Sequence, residues 1–183
     1  SSSLLRSTVP ALDQGRIGSC VGHGAALAWS IRHHSQTGRH LPLSRLMIYY
    51  NAREVEGYTH ADTGCQIVDA VNQMVKQGSC EERWWPYIES KFSVKPTPCH
   101  YREALNHRVV RSYKVDNTDG KSIRLALTNG HPVVFGSLVY YAIQNLSRYN
   151  DVLPMPRKGE RYTGAHCMVI IGHDDARQLY LVQ

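Results

Sequence analysis

Long apolar runs are missing from this chain of 183 residues. Without a stretch of about 18 consecutive apolar residues, no membrane-spanning helix is expected. No secretory signal peptide is visible. No cysteine pair has the spacing of a metal knuckle, and five scattered cysteines do not make a disulfide scaffold. Internal repeats and low-complexity tracts are absent, which leaves out solenoids and compositionally biased tails. An initiating methionine is lacking too. Ser1 to Arg6 reads as an internal edge, so targeting or pro-segments are expected upstream of it.

What is there describes a packed globule. Hydrophobic residues make up 42 % and charged residues 20 %, within the range of folded domains. The length fits one ordinary domain or two small lobes sharing an interface. Lys and Arg number 21 against 15 Asp and Glu, giving a net charge of +6. The basic groups, Arg157-Lys158 and Arg108 to Lys114, are short and dispersed. They read as solvated surface, and no nucleic-acid partner is expected. An odd cysteine count leaves at least one thiol free unless it pairs between chains. That role falls to Cys20, whereas Cys65, Cys80, Cys99 and Cys167 read as small buried or semi-exposed residues.

The pattern changes near the middle of the chain. Cys20 to about Ser35 reads as a helix with Val21, Ala25, Ala28, Trp29 and Ile31 on its apolar side and Gly38 beyond its end. Ser44 can cap a second helix running to Glu56, with Gly57 as its stop. Ile67, Ala70, Val71, Met74 and Val75 recur at helical spacing up to Gly78. Trp84 to Tyr87 forms an aromatic turn, and residues 88–108, with Pro96 and Pro98, read as a crossing segment. Beyond it, Val109, Arg111, Tyr113 and Val115 alternate as in a strand. Asp119 to Thr128 reads as a short helix, and Arg148 to Gly164 as a surface loop. Pro132 to Val139, Cys167 to Gly172 and Gln178 to Gln183 are strand candidates. Helices first and strands later predict an α+β fold.

Two segments carry chemistry. Gln14 to Cys20 reads Gln-Gly-Arg-Ile-Gly-Ser-Cys and places a thiol at the head of a helix, where the partial positive charge favours thiolate. Gly15, Gly18 and Ser19 permit a close approach to that thiol. His166, 146 residues later, stands between Gly164-Ala165 and an apolar strand. A thiol nucleophile with an imidazole base implies acyl transfer through a thioester. Papain-type enzymes have their His about 130–150 residues after the Cys. The other histidines do not suggest a metal. Adjacent His33 and His34 cannot both face one ion from a regular helix, and neither they, His40 nor His173 has a thiolate pair beside it. His23 and Trp29 read as packing or cleft-wall residues.

Seven segments in order resemble the papain/cathepsin family of cysteine peptidases, in particular its divergent bacterial-type branch. They are Asp13-Gln14-Gly15 with Gly18-Ser19-Cys20, Leu43 to Asn51, Asp62-Thr63-Gly64, and Gly78 followed by Trp85-Pro86-Tyr87. Gly130-His131-Pro132-Val133, Gly164-Ala165-His166 and Ile171 to Asp175 complete the set. The resemblance implies a papain-like two-lobed fold: an N-terminal arm (1–10), a helical lobe (11–108) and a β-barrel-like lobe (109–183), incomplete at its C-terminal end. It implies Cys20 as nucleophile, His166 as general base and acid, and the Gln14 side chain with the Cys20 N–H as oxyanion donors. Gly18, Ser19, Gly64, Cys65, Gly136 and Ala165 would meet the substrate, with Gly64 pairing an extended peptide. Cys65 and Gly136 would lie near the pocket for the second residue upstream of the scissile bond.

The chain departs from the family pattern in two places. Ile17 and Val21 stand where the common signature has Cys and an aromatic residue, so the usual disulfide of the active-site loop is missing. That fits a reducing compartment or an origin outside the secreted animal and plant enzymes of the family. The Asn-Ser-Trp-Gly motif, whose Asn orients the imidazole, would begin at the residue after Gln183. The expectation is a papain-like cysteine endopeptidase needing no cofactor and acting on peptide or protein substrates, with a pro-segment as an inhibitory partner. Two alternatives stay open: a catalytically inactive papain-like binding or structural component, and acyl transfer of the amidase or transglutaminase type.

Overall fold

The computed structural model describes the backbone of residues 2–4 and residues 10–183. The element order is β1 (Ser2–Leu4), α1 (Cys20–Thr37), α2 (Arg45–Glu56), α3 (Ile67–Lys76), α4 (Pro98–Ala104), α5 (Lys121–Thr128), β2 (Val133–Val139), β3 (Gly164–Asp174) and β4 (Leu179–Val182). Helices α1–α4 thus precede residue 108, and β2–β4 follow residue 132. The N-terminal arm contributes Ser2–Leu4 to the sheet formed by that later half.

The first three helices follow their local signals. Ser44 accepts the Met47 N–H at 3.2 Å and opens α2, and Gly57 ends it in the left-handed conformation. On α3 the predicted side turns inward, with Ala70 and Met74 buried. Helices α1–α3 enclose a core of Val21, Ala25, Ile48, Ala52, Ala70 and Met74. A second cluster, Leu46, Met47, Cys80, Trp85 and Ala104, seals the other side of α2. Arg53 is fully buried within this half. Its guanidinium donates to the carbonyls of Thr59 (3.1 Å), Ala61 (2.7 Å) and Phe92, so an outwardly polar residue ties the 58–62 loop to residue 92.

In the sheet, β3 pairs antiparallel with β1, β2 and β4. Against β2 the register sets Gly136 opposite Cys167 and Ser137 opposite His166. β1 and β4 both pair with the Gly172–Asp174 end and so lie on opposite edges of β3. Helix α1 supports β3 through Ile31, Val169 and Ile171, and α5 covers it through Leu127, Val133 and Ile170.

Four expectations need correction. Residues 109–115 alternate in sequence but form no strand. Val109 donates to the Met74 carbonyl at 3.0 Å, while Val115 packs with the Leu127–Val133 cluster. The segment is therefore a connector whose valines serve different cores. Residues 88–108 are not only a crossing: Pro98 starts α4 at a first-turn position, where its missing N–H costs nothing. The surface loop begins later than expected, because Tyr141–Tyr149 is a kinked 3₁₀ segment. Cys99 is exposed, not partly covered.

Close approach of α1 to α2 depends on Gly22. A Cβ there would stand 2.5 Å from the Arg45 carbonyl oxygen, a backbone atom. Gly22→Ala must push the helices apart. The expected loss is about 1–3 kcal/mol of folding stability, read as a lower urea midpoint with an unchanged slope. An unchanged midpoint would show that the contact tolerates a methyl group.

Candidate active site

Cys20 is the first residue of α1, half-buried and free of any disulfide. The Ser19 side chain makes no cap hydrogen bond to the helix. The first-turn N–H groups of α1 thus receive no bond from the N-cap side chain. Gly24, one turn further, lies against β3. A Cβ there would stand 3.0 Å from the Cys167 sulfur and 3.6 Å from Val134 and Val169. Further on, Ile31 meets Val169 and Ile171, so helix and strand run in the same direction. Four helix residues rise about 6 Å, which about two strand residues also span. Counted back from the Gly24–Cys167 contact, the head of α1 falls toward the end of β3 where that strand begins. His166 is half-buried and Ala165 exposed. No hydrogen bond among those between described residues joins Cys20 to His166.

Gln14 lies on the loop before α1. Its side-chain amide donates to the Ile17 carbonyl at 3.1 Å, which uses one of its two N–H groups. Gly18 and Gly64 are close neighbours: a Cβ on Gly18 would stand 3.4 Å from the Gly64 nitrogen. Asp62 holds this juxtaposition. Both its oxygens accept the Gly18 N–H at 3.0 Å, and Oδ1 also accepts from the Tyr49 hydroxyl. That hydroxyl oxygen accepts the Gly64 N–H at 3.1 Å. Burial, then the hydrogen bond to Asp62, raises the Tyr49 pKa, so the phenol remains a donor.

Three thiols share this region. Cys20 and Cys65 pack on the cluster that contains Cys167. Burial, joined by the charge of Glu56, pushes the Cys65 thiol well up. Burial also pushes Cys167 up to about 12. Gly136 is exposed on β2, with the Ile67 side chain 3.6 Å from where its Cβ would be.

A chain of donors runs beneath the Cys20 end of α1. Arg45 donates to His23 Nε2 at 3.0 Å, because a guanidinium has no acceptor. His23 Nδ1 then carries the proton and donates to the Ser19 carbonyl at 3.1 Å. The Tyr87 hydroxyl donates to the Gln14 carbonyl at 2.7 Å, so the Ser19 hydroxyl donates to Tyr87 in turn. Glu82 anchors the base of the chain by pairing with Arg45 at 2.8 Å and accepting the Tyr87 N–H at 2.8 Å. Sequence reasoning assigned His23 to packing and Tyr87 to a turn, and gave no role to Asp62, Tyr49 or Arg45. The Tyr87 signal was present as Trp-Pro-Tyr, but nothing local in it points to residues 14 and 19.

Among the described residues, Glu81, Glu103 and His107 bring three metal-ligating atoms within 4.8 Å of one another. His107 Nε2 already donates to Glu103 at 2.8 Å, and Arg83 pairs with Glu81. The group is thus satisfied as an ion-pair network. A depression of about 430 Å³ lies at the opposite end of β3, lined in part by Arg124, His173, Asp174 and Tyr180; none of the expected site residues lines it. Among the described residues no helix is long and apolar enough to cross a membrane.

The family model described as papain family cysteine protease matches residues 6–182. The chain belongs to the papain family of cysteine proteases. Within curated proteins it is similar to an uncharacterized peptidase C1-like protein of Acanthamoeba polyphaga mimivirus, 31% identical over 182 residues. The match covers 94% of this chain but 58% of that relative, so the chain spans less than two thirds of its length. Xylellain, a cysteine protease from Xylella fastidiosa, superposes with a TM-score of 0.86 at 31% identity, over 99% of this chain and 72% of that one. Bromelain from Ananas comosus, solved with the E64 inhibitor, gives 0.68 at 13% identity, over 100% of this chain and 81% of that one. This last likeness concerns the papain-like fold alone. Against the family signature, Ile17 packs beside the Leu46–Trp85 cluster and Val21 lies in the α1–α3 core.

The donor chain predicts a pH dependence of stability. Burial is the main cause that lowers the His23 pKa below 6.5, and the Arg45 charge adds to it. The folded protein thus binds this proton less readily than the unfolded chain. The stabilisation is complete above 6.5 and is lost as pH falls from there through the lowered folded value. Urea midpoints should decline below about pH 6.5, and His23→Gln should flatten that decline. Parallel wild-type and variant curves would remove His23 from this role.

Proposed function

We propose that this protein is a cysteine endopeptidase that cleaves peptide bonds through an acyl-thioester on Cys20. The observation that carries the reading is the head of α1, where a free, half-buried thiol opens a helix whose N-cap side chain makes no cap hydrogen bond. Family membership supplies the reaction class, and the residues supply the roles.

In the proposed cycle the Cys20 thiolate, with His166 as imidazolium, adds to the substrate carbonyl carbon. Negative charge develops on the carbonyl oxygen and is met by the free N–H of the Gln14 amide and the backbone N–H of Cys20. His166 gives its proton to the departing amine as the C–N bond breaks, leaving the thioester. Water then attacks the thioester with His166 taking its proton, and the acid product and thiol are released. Gly64, beside Gly18 and with its N–H held by Tyr49, would offer its carbonyl to an extended peptide. Cys65, Ile67 and Gly136 would border the neighbouring side-chain pocket. The substrate is a peptide or protein, a pro-segment is the expected inhibitory partner, and a reducing compartment suits the free thiols.

Reaction with E-64 should modify Cys20, located by peptide mass mapping, while Cys80 and Cys167 stay unmodified. His166→Ala should slow that reaction. On a fluorogenic peptide, Cys20→Ala should abolish turnover, and Gln14→Ala should lower kcat about 10²–10³-fold, as for loss of one oxyanion donor. Turnover that survives Cys20→Ala would overturn the reading.

A further inference from the structure

We infer that Tyr87 is a positioning residue of the oxyanion hole, setting the distance between its two donors. The inference rests on the proposed roles of Gln14 and Cys20. Those residues lie at opposite ends of an irregular loop containing Gly15 and Gly18. Within the loop, the Gln14 amide binds Ile17 and the Ser19 N–H binds the same carbonyl at 2.8 Å. From outside the loop, Glu89 accepts the Arg16 N–H at 3.2 Å and Asp62 the Gly18 N–H at 3.0 Å, both in its middle. Tyr87, 73 residues from Gln14, reaches its two ends. Its hydroxyl donates to the Gln14 carbonyl at 2.7 Å and accepts from the Ser19 hydroxyl. One oxygen atom thus joins the residue bearing the side-chain donor to the residue preceding the nucleophile.

The phenol is itself held on several sides. The His23 ring meets it edge-on with centroids 4.8 Å apart, the Arg45 guanidinium lies 4.4 Å from its centroid, and Glu82 accepts its N–H. Ser19, its other partner, is fully buried. Arg45, His23, Ser19 and Tyr87 each donate to the next member, and the last donation ends on Gln14. The hydroxyl can donate to Gln14 because its other partner, Ser19, supplies a hydrogen. A donor pair helps catalysis only when both N–H groups converge on the developing oxyanion, and a shift of about 1 Å can cost about 10²-fold in rate.

The test uses the full chain and the variants Tyr87→Phe, Gln14→Ala and their combination. Phe keeps the ring contacts and removes only the hydroxyl. Tyr87→Phe should lower kcat on a fluorogenic peptide about 10-fold with KM within about 2-fold. Alkylation of Cys20 by iodoacetamide forms no oxyanion, so its rate should stay within about 2-fold. The double variant should be no slower than Gln14→Ala alone, because Tyr87 acts through Gln14. Multiplying losses in the double variant, a kcat unchanged by Tyr87→Phe, or a parallel drop in alkylation would each overturn the inference. So would Gln14→Ala at the wild-type rate. Cys20→Ala measured beside them reports on the nucleophile separately. If it abolishes turnover while Tyr87→Phe is inert, only the positioning role falls.

Discussion

The seating of α1 is the constraint from which the rest of the molecule follows. Along a single turn, the helix presents Gly22 to the backbone of α2 and Gly24 to the Cys167 sulfur on β3. Neither surface tolerates a longer side chain there without moving. Helix and sheet are therefore held at backbone distance, and the register between α1 and β3 is fixed by contact rather than by a loop. Everything at the head of the helix, Cys20 included, inherits that register. Burial of Val21 and Ala25 beside these glycines supplies the cohesion, since close-packed interiors transmit displacement rather than absorb it.

Around this wedge, polar groups fix what the apolar core leaves loose. The loop before α1 is held from three directions: Tyr87 reaches the Gln14 carbonyl, Glu89 takes the Arg16 N–H, and Asp62 takes the Gly18 N–H. Ile17 removes one end of the disulfide common in the family, and hydrogen bonds provide the tethers of this loop instead. They depend on other buried polar residues. Arg53 shapes the segment leading to Asp62, and the Arg45–Glu82 pair supports His23 and Tyr87. Buried polar networks are stabilising only when every member finds its partner. Removing a member of either set therefore reaches the loop without touching the thiol.

Much of this was legible because it is local. Ser44 and Gly57 bracket α2, the Ile67-to-Val75 spacing marks α3, and the helix headed by Cys20 and the apolar strand after His166 both stand where the pattern puts them. The failures have physical causes. Val109 to Val115 alternates as a strand would, yet Val109 and Val115 pack on separate clusters, and its described bond to a neighbour's backbone, Val109 N–H to Met74, is not part of a strand ladder. The prolines of residues 96–98 suggest a loop, but Thr97 and Pro98 are also a helix start, and the Thr97 N–H donates to His100 Nδ1 at 3.2 Å. The pairing of Ser2–Leu4 with β3 joins residues about 170 apart, beyond any periodicity. At the candidate site, motif and spacing single out Gln14, Cys20 and His166 as expectations. Tyr87, Arg45 and Asp62 act through contacts across 37 to 73 residues, a range in which sequence carries no geometry.

The same burial that builds the α1–β3 contact also separates the thiols chemically. Cys65 and Cys167 share a cluster with Cys20, so proximity alone would make all three candidates for nucleophilic chemistry. Only a thiolate attacks effectively. Burial holds Cys65 and Cys167 in the neutral form, well above the ordinary thiol range. Their neighbours reinforce this, since Glu56 and the other thiols disfavour a further negative charge. Cys20 differs by position rather than by residue type. It opens a helix whose first N–H groups are uncapped, because Ser19 spends its hydroxyl on Tyr87 instead of on the helix. The arrangement that ties the loop to Tyr87 thus also leaves the Ser19 side chain out of the helix cap beside Cys20.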